Sequence, residues 1–309
     1  MKLAIRLFVI LLCVCISATV YGTPAYQMIS DIGSSAEMIS IGNIEGFSKT
    51  SNSIFENPAA LTHINIVSAA LFSTTIMQEV SYNNLSVAYN SPYGVFGLGY
   101  MSAGVDGLPI TAKDSNNYII NTGNSFSYKN HIIKLGYAYP LTHYMNLGVA
   151  SSLYSNKIHT ITCTGIGLDV GLFTMIYDIG VSVFARNVAP TKVTYKNSSD
   201  PSYSATEKLP LHAVGSLSYP FLDFNLFGQV KYDSVNPLIS MGVSYQPSLL
   251  KFLKLSAGYK EFSVLKNIKS TTSFGAGLSL YGINLDYAYE ISQHIEYNSN
   301  SYFSIGLSF

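Results

Sequence analysis

Hydrophobic and polar positions alternate strictly through the last part of the chain. In 301–309, Phe303, Ile305, Leu307 and Phe309 alternate with Tyr302, Ser304, Gly306 and Ser308. In 273–280, Phe274, Ala276, Leu278 and Leu280 alternate with Ser273, Gly275, Gly277 and Ser279. The same holds for Ile283, Leu285, Tyr287 and Tyr289 in 283–290, and for Leu253, Leu255, Ala257 and Tyr259 in 253–260. A period of two puts successive side chains on opposite faces of a β-strand, so one face is apolar and the other small or polar. Carried along the chain, this reading predicts fourteen strands: 64–73, 80–90, 93–103, 125–139, 143–155, 163–176, 179–188, 210–219, 222–231, 236–245, 252–261, 271–281, 282–291 and 301–309.

The connections form a second pattern. Short ones recur at Asn90-Ser91-Pro92, Tyr139-Pro140-Leu141, Tyr177-Asp178, Tyr219-Pro220, Gln246-Pro247-Ser248 and Tyr281-Gly282. Longer polar stretches at 104–124, 156–162, 189–209, 232–236, 262–270 and 292–300 alternate with them. Tyr89, Tyr139, Tyr177, Tyr219, Tyr245 and Tyr281 all fall on the short-turn side. Tight turns at one end, longer loops at the other and amphipathic rings at one depth are the asymmetry of an outer-membrane barrel.

Composition separates this from a soluble sandwich, which would alternate in the same way. The 309 residues hold 17 Lys+Arg and 17 Asp+Glu, a formal net charge of zero. Charged residues are 11% of the chain, against about 25% in a soluble domain. A disordered chain, a basic nucleic-acid binder and a charge-covered cytosolic enzyme are all disfavoured. Residues 1–22 read as an export signal: Lys2 and Arg6 precede an apolar core, Leu7–Val20, too short to span a bilayer, with cleavage expected after Gly22. Beyond it no apolar run approaches the roughly 20 residues of a spanning helix. The other backbone that satisfies its own hydrogen bonds in lipid is a closed barrel. The expected fold is therefore all-β: a transmembrane antiparallel barrel of about 14 strands, surrounded by outer-membrane lipid, with both termini periplasmic. Phe309, closing an alternating strand, is the expected signal to the barrel-assembly machinery.

Residues 23–62 break the alternation. They carry Gly33, Gly42 and Gly46, many Ser and Asn, and the run Ser53-Ile54-Phe55-Glu56-Asn57-Pro58-Ala59-Ala60-Leu61. So long an irregular stretch fits a plug in the lumen, whose polar wall can satisfy its backbone. Asn57-Pro58 is a turn former. This segment resembles the hatch of the FadL-type outer-membrane transporter superfamily, and most closely its shorter PorV/PorQ-like branch. Gly33 and Gly42 match glycines of that branch's opening stretch. Ser53 matches the small residue before its Asn-Pro-Ala-Gly-Leu motif, and Asn57, Pro58, Ala59 and Leu61 match the motif. Ala60 replaces its Gly, and Thr50-Ser51-Asn52 stands where an Asp pair is usual. Leu209-Pro210-Leu211, Ser256-Ala257-Gly258-Tyr259 and Asp286-Tyr287-Ala288-Tyr289 also resemble that branch. The resemblance implies a barrel over 63–309, a hatch over 23–62 with a gating turn at Asn57, Pro58 and Ala59, and a wall that opens sideways near the glycines of the third strand.

Candidate chemistry is sparse. None of the six His has a Ser two residues on, the arrangement of outer-membrane acyl hydrolases, and none pairs with another at ligand spacing. No enzyme activity, cofactor or metal is expected. Strand phase instead predicts which charges face the lumen: Lys134, Asp169, Arg186, Asp223, Lys254 and Asp286, with Lys231, Lys260 and Glu290. Lys134, Arg186 and Lys254 are candidates to guide a carboxylate headgroup. The expected function is passage or binding of small hydrophobic, fatty-acid-like molecules by diffusion. The alternative is a PorV-like barrel that binds secreted cargo proteins through loops 104–124 and 189–209. No nucleic-acid partner is expected.

Overall fold

The computed structural model describes residues 32–76, 79–189, 192–232, 236–264, 267–292 and 300–309. The expected export signal at 1–22, residues 23–31 and most of the loop at 292–300 lie outside these. In chain order the strands are β1 Val67–Ile76, β2 Val80–Ser91, β3 Gly94–Lys113, β4 Ile119–Pro140, β5 Met145–Ile158, β6 Ile161–Ile176, β7 Ile179–Arg186, β8 Lys192–Asn197, β9 Asp200–Lys208, β10 His212–Phe221, β11 Phe224–Tyr232, β12 Pro237–Tyr245, β13 Leu253–Val264, β14 Asn267–Leu280, β15 Ile283–Ser292 and β16 Asn300–Ser308.

Fourteen of these close into an antiparallel ring. Sequential strands pair from β1 to β7, β7 pairs with β10 through Ala185↔Ala213, and pairing continues to β16. The ring closes where β1 meets β16, with Ala70 opposite Gly306. Every backbone group of a ring strand can then bond to a neighbour, and no edge is left within the ring.

The period of two sorts side chains as the sequence predicts. Leu255, Leu285 and Leu307 stand on the outer skin, 46%, 45% and 39% exposed. Leu71, Leu85, Leu98 and Leu135 do likewise on β1 to β4. Inward positions are small, polar or charged: Ser68, Asn84, Ser86, Lys134, Ser152, Asp169, Ser182 and Ser304 are all buried. The short turns lie together at one end, where Tyr89, Tyr139, Tyr177, Tyr219 and Tyr281 are exposed. Tyr177 and Tyr281 sit in the turns themselves, in the left-handed region.

Three expected loops are largely strand; in 262–270, β13 and β14 run on and pair as far as Val264↔Asn267. Residues 104–113 and 119–124 continue β3 and β4 into a hairpin that projects past its neighbours, since pairing with β2 ends at Gly104 and with β5 at Tyr128. Within 189–209, β8 and β9 form a second hairpin, laid on the far end of β6 with Thr164 opposite Thr194. The hydrophobic period disappears in both because each face meets a polar surround. The hydrogen-bond ladder does not need that period and persists.

The interior is filled by residues 33–64, which are buried almost throughout. Their local structure is a run of short capped turns. Ser35 caps the one-turn α-helix Ala36–Ser40 (α1), accepting from Met38 N at 3.2 Å. Thr50 caps a 3-10 turn over Ser51–Phe55, and Asn57 caps another over Pro58–His63, with Pro58 in the first turn. Each break in the alternation thus coincides with a side chain that terminates extended backbone.

Candidate functional site

The inner segment spans the ring between two seats made of inward-facing glycines. On one side are Gly97 in β3, Gly136 in β4, Gly148 in β5 and Gly171 in β6. A Cβ on Gly97 would lie 3.1 Å from Leu61 Cδ1, and one on Gly136 3.2 Å from Ile54 Cδ1. At Gly148 it would overlap the backbone of Ala59, and at Gly171 the Asn57 amide. Across the ring, Gly242 in β12 and Gly258 in β13 meet Ile41 and Gly42, and Gly275 in β14 meets Ser40. Gly42 has φ +83°, a turn that an L side chain would strain, beside the Tyr259 carbonyl. Only strands without a side chain at these points leave room for a backbone in the lumen.

Polar contacts fix the segment between the seats. Asn57 donates from Nδ2 to Leu172 O and Ser182 Oγ, each at 2.9 Å, while its Oδ1 accepts from Ala59 N at 2.9 Å. The Asn57-Pro58-Ala59 turn is therefore tied both to itself and to the wall at β6 and β7. Gln229 in β11 accepts from Glu45 N at 2.8 Å and donates to Asn43 O at 3.1 Å. Tyr82 in β2 donates to Gly33 O at 2.9 Å.

Acids of the segment meet cations of the wall. Arg186 donates to the Glu45 carboxylate and to Phe55 O at 2.9 Å, with its guanidinium 5.0 Å from the Phe184 ring centroid. Lys231 lies 4.0 Å from the other Glu45 oxygen. Lys254 pairs with Glu37 and lies 3.9 Å from Asp286. Two further pairs join wall to wall: Lys134 with Asp169, and Lys260 with Glu290 at 3.1 Å. Asp169 also accepts from Asn187 N at 3.1 Å. Glu56 has a different environment. Its oxygens accept from Ser34 Oγ and Gly46 N, both at 2.9 Å. Burial pushes its carboxyl up to about 8 despite those two donors, with Glu45 and Glu37 adding to the rise.

Of the charges expected in the lumen, Lys134, Asp169, Arg186, Lys254 and Asp286 face inward. Asp223 does not. It lies in the tight turn between β10 and β11 and accepts from Ser248 Oγ at 2.5 Å, in the turn between β12 and β13. The expected strand 222–231 starts at Phe224 instead; Leu222 and Asp223 form the reversal, where the period does not apply. The segment's acids Glu37, Glu45 and Glu56 were not singled out in the sequence. Their signal is that acids confined to a lumen must face cations or titrate.

Two apolar regions flank the polar mid-section. Toward the long-loop end the inward residues become Phe72, Tyr82, Met101, Ile132, Tyr154 and Tyr302, all buried. Phe72 packs edge-on to Tyr82 at 5.7 Å and parallel to Tyr302 at 6.1 Å. On the outer face, over the first glycine seat, lies a hollow of about 640 Å³ walled by Tyr89, Phe96, Leu98, Leu135, Val149 and Leu168. Gly97 and Gly136 form its floor, and Leu61 and Ile54 lie directly behind them. A single backbone layer separates the outside from the inner segment here.

No family model and no curated protein matches the chain in sequence. Solved structures match it over nearly its whole length. The toluene transporter TodX of Pseudomonas putida covers 90% of this chain and 99% of its own, with a TM-score of 0.64 at 12% identity. The toluene transporter TbuX of Ralstonia pickettii gives 0.63 at 11% identity, over 90% and 98%. A FadL homologue of Pseudomonas aeruginosa gives 0.57 at 10% identity, over 89% and 98%. The chain has the FadL-type barrel fold. At these identities the likeness concerns the architecture alone; two of the three matched proteins carry the name of toluene transporters.

Proposed function

We propose that this chain is an outer-membrane barrel that lets small hydrophobic molecules pass by diffusion, with residues 33–64 as its hatch. The observation that carries the reading is the inversion of the molecule: an apolar skin around the ring, and a polar, ion-paired interior stoppered by an irregular segment. A charged side chain turned to mid-bilayer lipid would cost roughly 2–4 kcal/mol for Lys or Arg, so the inversion suits a ring set in a membrane. TodX and TbuX, named as toluene transporters, share the fold. A hydrophobic compound would settle among Phe72, Tyr82 and Tyr302 at the long-loop end and reach the hatch turn at Asn57, Pro58 and Ala59. The thin wall over Gly97 and Gly136 would offer it a sideways exit into the hollow. Both termini would lie on the periplasmic side, the short-turn end where β1 begins and β16 ends. Phe309, bonded there to Val67, would be read by the assembly machinery. Nothing in the described chain suggests an energy source, so passage would follow the gradient. Reconstitution tests this. Protein-dependent uptake of toluene into proteoliposomes, slowed or hastened by Asn57→Ala, is the expected result. No uptake and no effect of the variant would end the reading.

One observation favours a second reading, a PorV-like barrel that binds exported proteins. The β3–β4 hairpin projects beyond the ring and presents Tyr118 and Ile119, 71% and 73% exposed, and β9 leaves one edge unpaired among the described strands. Such edges accept a further strand from a partner. Co-purification of surface proteins that is lost when the β3–β4 hairpin is removed would favour this reading.

A further inference from the structure

The ion pairs of the lumen bear on what can pass. Among the described residues, five wall cations of the interior are paired with carboxylates of the chain itself: Lys134 with Asp169, Arg186 and Lys231 with Glu45, Lys254 with Glu37 and Asp286, Lys260 with Glu290. Arg186 and Lys134 are buried, as are Glu45 and Asp169. Five cations meet five carboxylates. Lys49 belongs to the inner segment but is exposed at its surface. An anion entering this space finds its potential partners engaged. Binding to Arg186 or Lys134 would draw the cation away from Glu45 or Asp169, both buried carboxylates of the chain itself, and the cost of an unpaired buried charge exceeds what an exchange of partners returns. An uncharged molecule meets no such cost, since the apolar lining above the hatch asks nothing of it but burial.

We infer that the passage selects by charge, admitting uncharged hydrophobic compounds and turning away carboxylates of the same skeleton, with Glu45, Glu37 and Asp169 as the residues that set this preference. The inference rests on the passage reading above and sharpens it. Fatty-acid-like anions are then poor cargo, and Lys134, Arg186 and Lys254 position the hatch and wall rather than guiding a headgroup. The three acids act through the cations they occupy. They exclude a ligand carboxylate by standing where it would bind.

A matched pair of probes separates the possibilities: 1-naphthalenemethanol and 1-naphthoate, one ring system with and without a charge at neutral pH. Binding to the purified full-length protein and protein-dependent uptake into proteoliposomes are read by naphthalene fluorescence. The expected result is uptake of the alcohol and a naphthoate signal lower by about tenfold or more. Glu45→Gln frees Arg186 and Lys231 from their carboxylate and should raise the naphthoate-to-alcohol ratio by about tenfold. Asp169→Asn, which frees Lys134 in the wall, makes the same prediction without touching the hatch and serves if the first variant fails to fold. Equal handling of the two probes by the unaltered chain, or folded variants with an unchanged ratio, would overturn the inference while leaving the passage reading in place. If neither probe is taken up, the passage reading falls and the charge preference with it.

Discussion

Glu56 is a carboxyl group held inside the barrel with Ser34 and Gly46 as its donors among the described residues. Its ordinary value of 4.5 is raised to about 8 by burial. Between those values the folded chain holds one proton more than the unfolded chain. Stability from this group is therefore complete below about pH 4.5 and is lost as pH rises through about 8. Thermal melting in detergent should show a falling midpoint across that window, and Glu56→Gln should flatten the profile. Asn57 acts by bonding rather than by charge. Asn57→Ala removes a cap and two wall contacts and should cost about 1–2 kcal/mol of unfolding stability, read as a lower denaturant midpoint. At this scale the sequence was partly legible. The turn-forming character of Asn57-Pro58 was plain, and so was the inward phase of Lys134 and Arg186. Glu45 and Glu37, the partners of Arg186 and Lys254, were not, because irregular backbone has no period from which to read a direction.

The ring strands were legible because each separates lipid-facing from lumen-facing positions, and that difference is written residue by residue. Where the difference ends, the reading failed: β3 and β4 run on past Gly104, and β8 and β9 form a ladder inside an expected loop. Both hairpins lie outside the ring. Replacing 106–127 by a short Gly-Ser turn should leave the melting temperature of the barrel within a few degrees of the original, since no ring pairing is lost. A large drop would mean that the hairpin braces the ring. The glycine seats make the opposite prediction. Gly148→Val places a branched side chain where the Ala59 backbone now lies. The turn should leave its seat, and planar-bilayer recordings should change from nearly silent to frequent openings. Glycines in strands were visible in the sequence, but which of them face a backbone rather than empty space depends on contacts between segments far apart in the chain.

At the level of the whole molecule, the inversion of polarity is the feature on which the membrane assignment turns. Leu285 and Asp286 are neighbours in β15, one outside and one in. Leu285→Lys should cost roughly 2–4 kcal/mol if its level is near the bilayer midplane, measured as unfolding free energy in lipid vesicles. The same substitution in a barrel surrounded by water would change little. Low charge, alternation and turn asymmetry together made this architecture readable before any coordinates. The charge balance of its interior was not readable, because it depends on which strands the hatch touches.

The join between β1 and β16 carries one more implication. Ser68 of β1 donates to Leu307 O of β16 at 2.8 Å and accepts from Ser51 N at 3.0 Å, while Ala36 N donates to Ser304 Oγ of β16 at 3.2 Å. The stopper thus clasps both lips of the suture that makes the cylinder a cylinder. Cutting it away to obtain a wide, permanently open pore would also undo the stitching, and the product would be a sheet prone to unzip along that line.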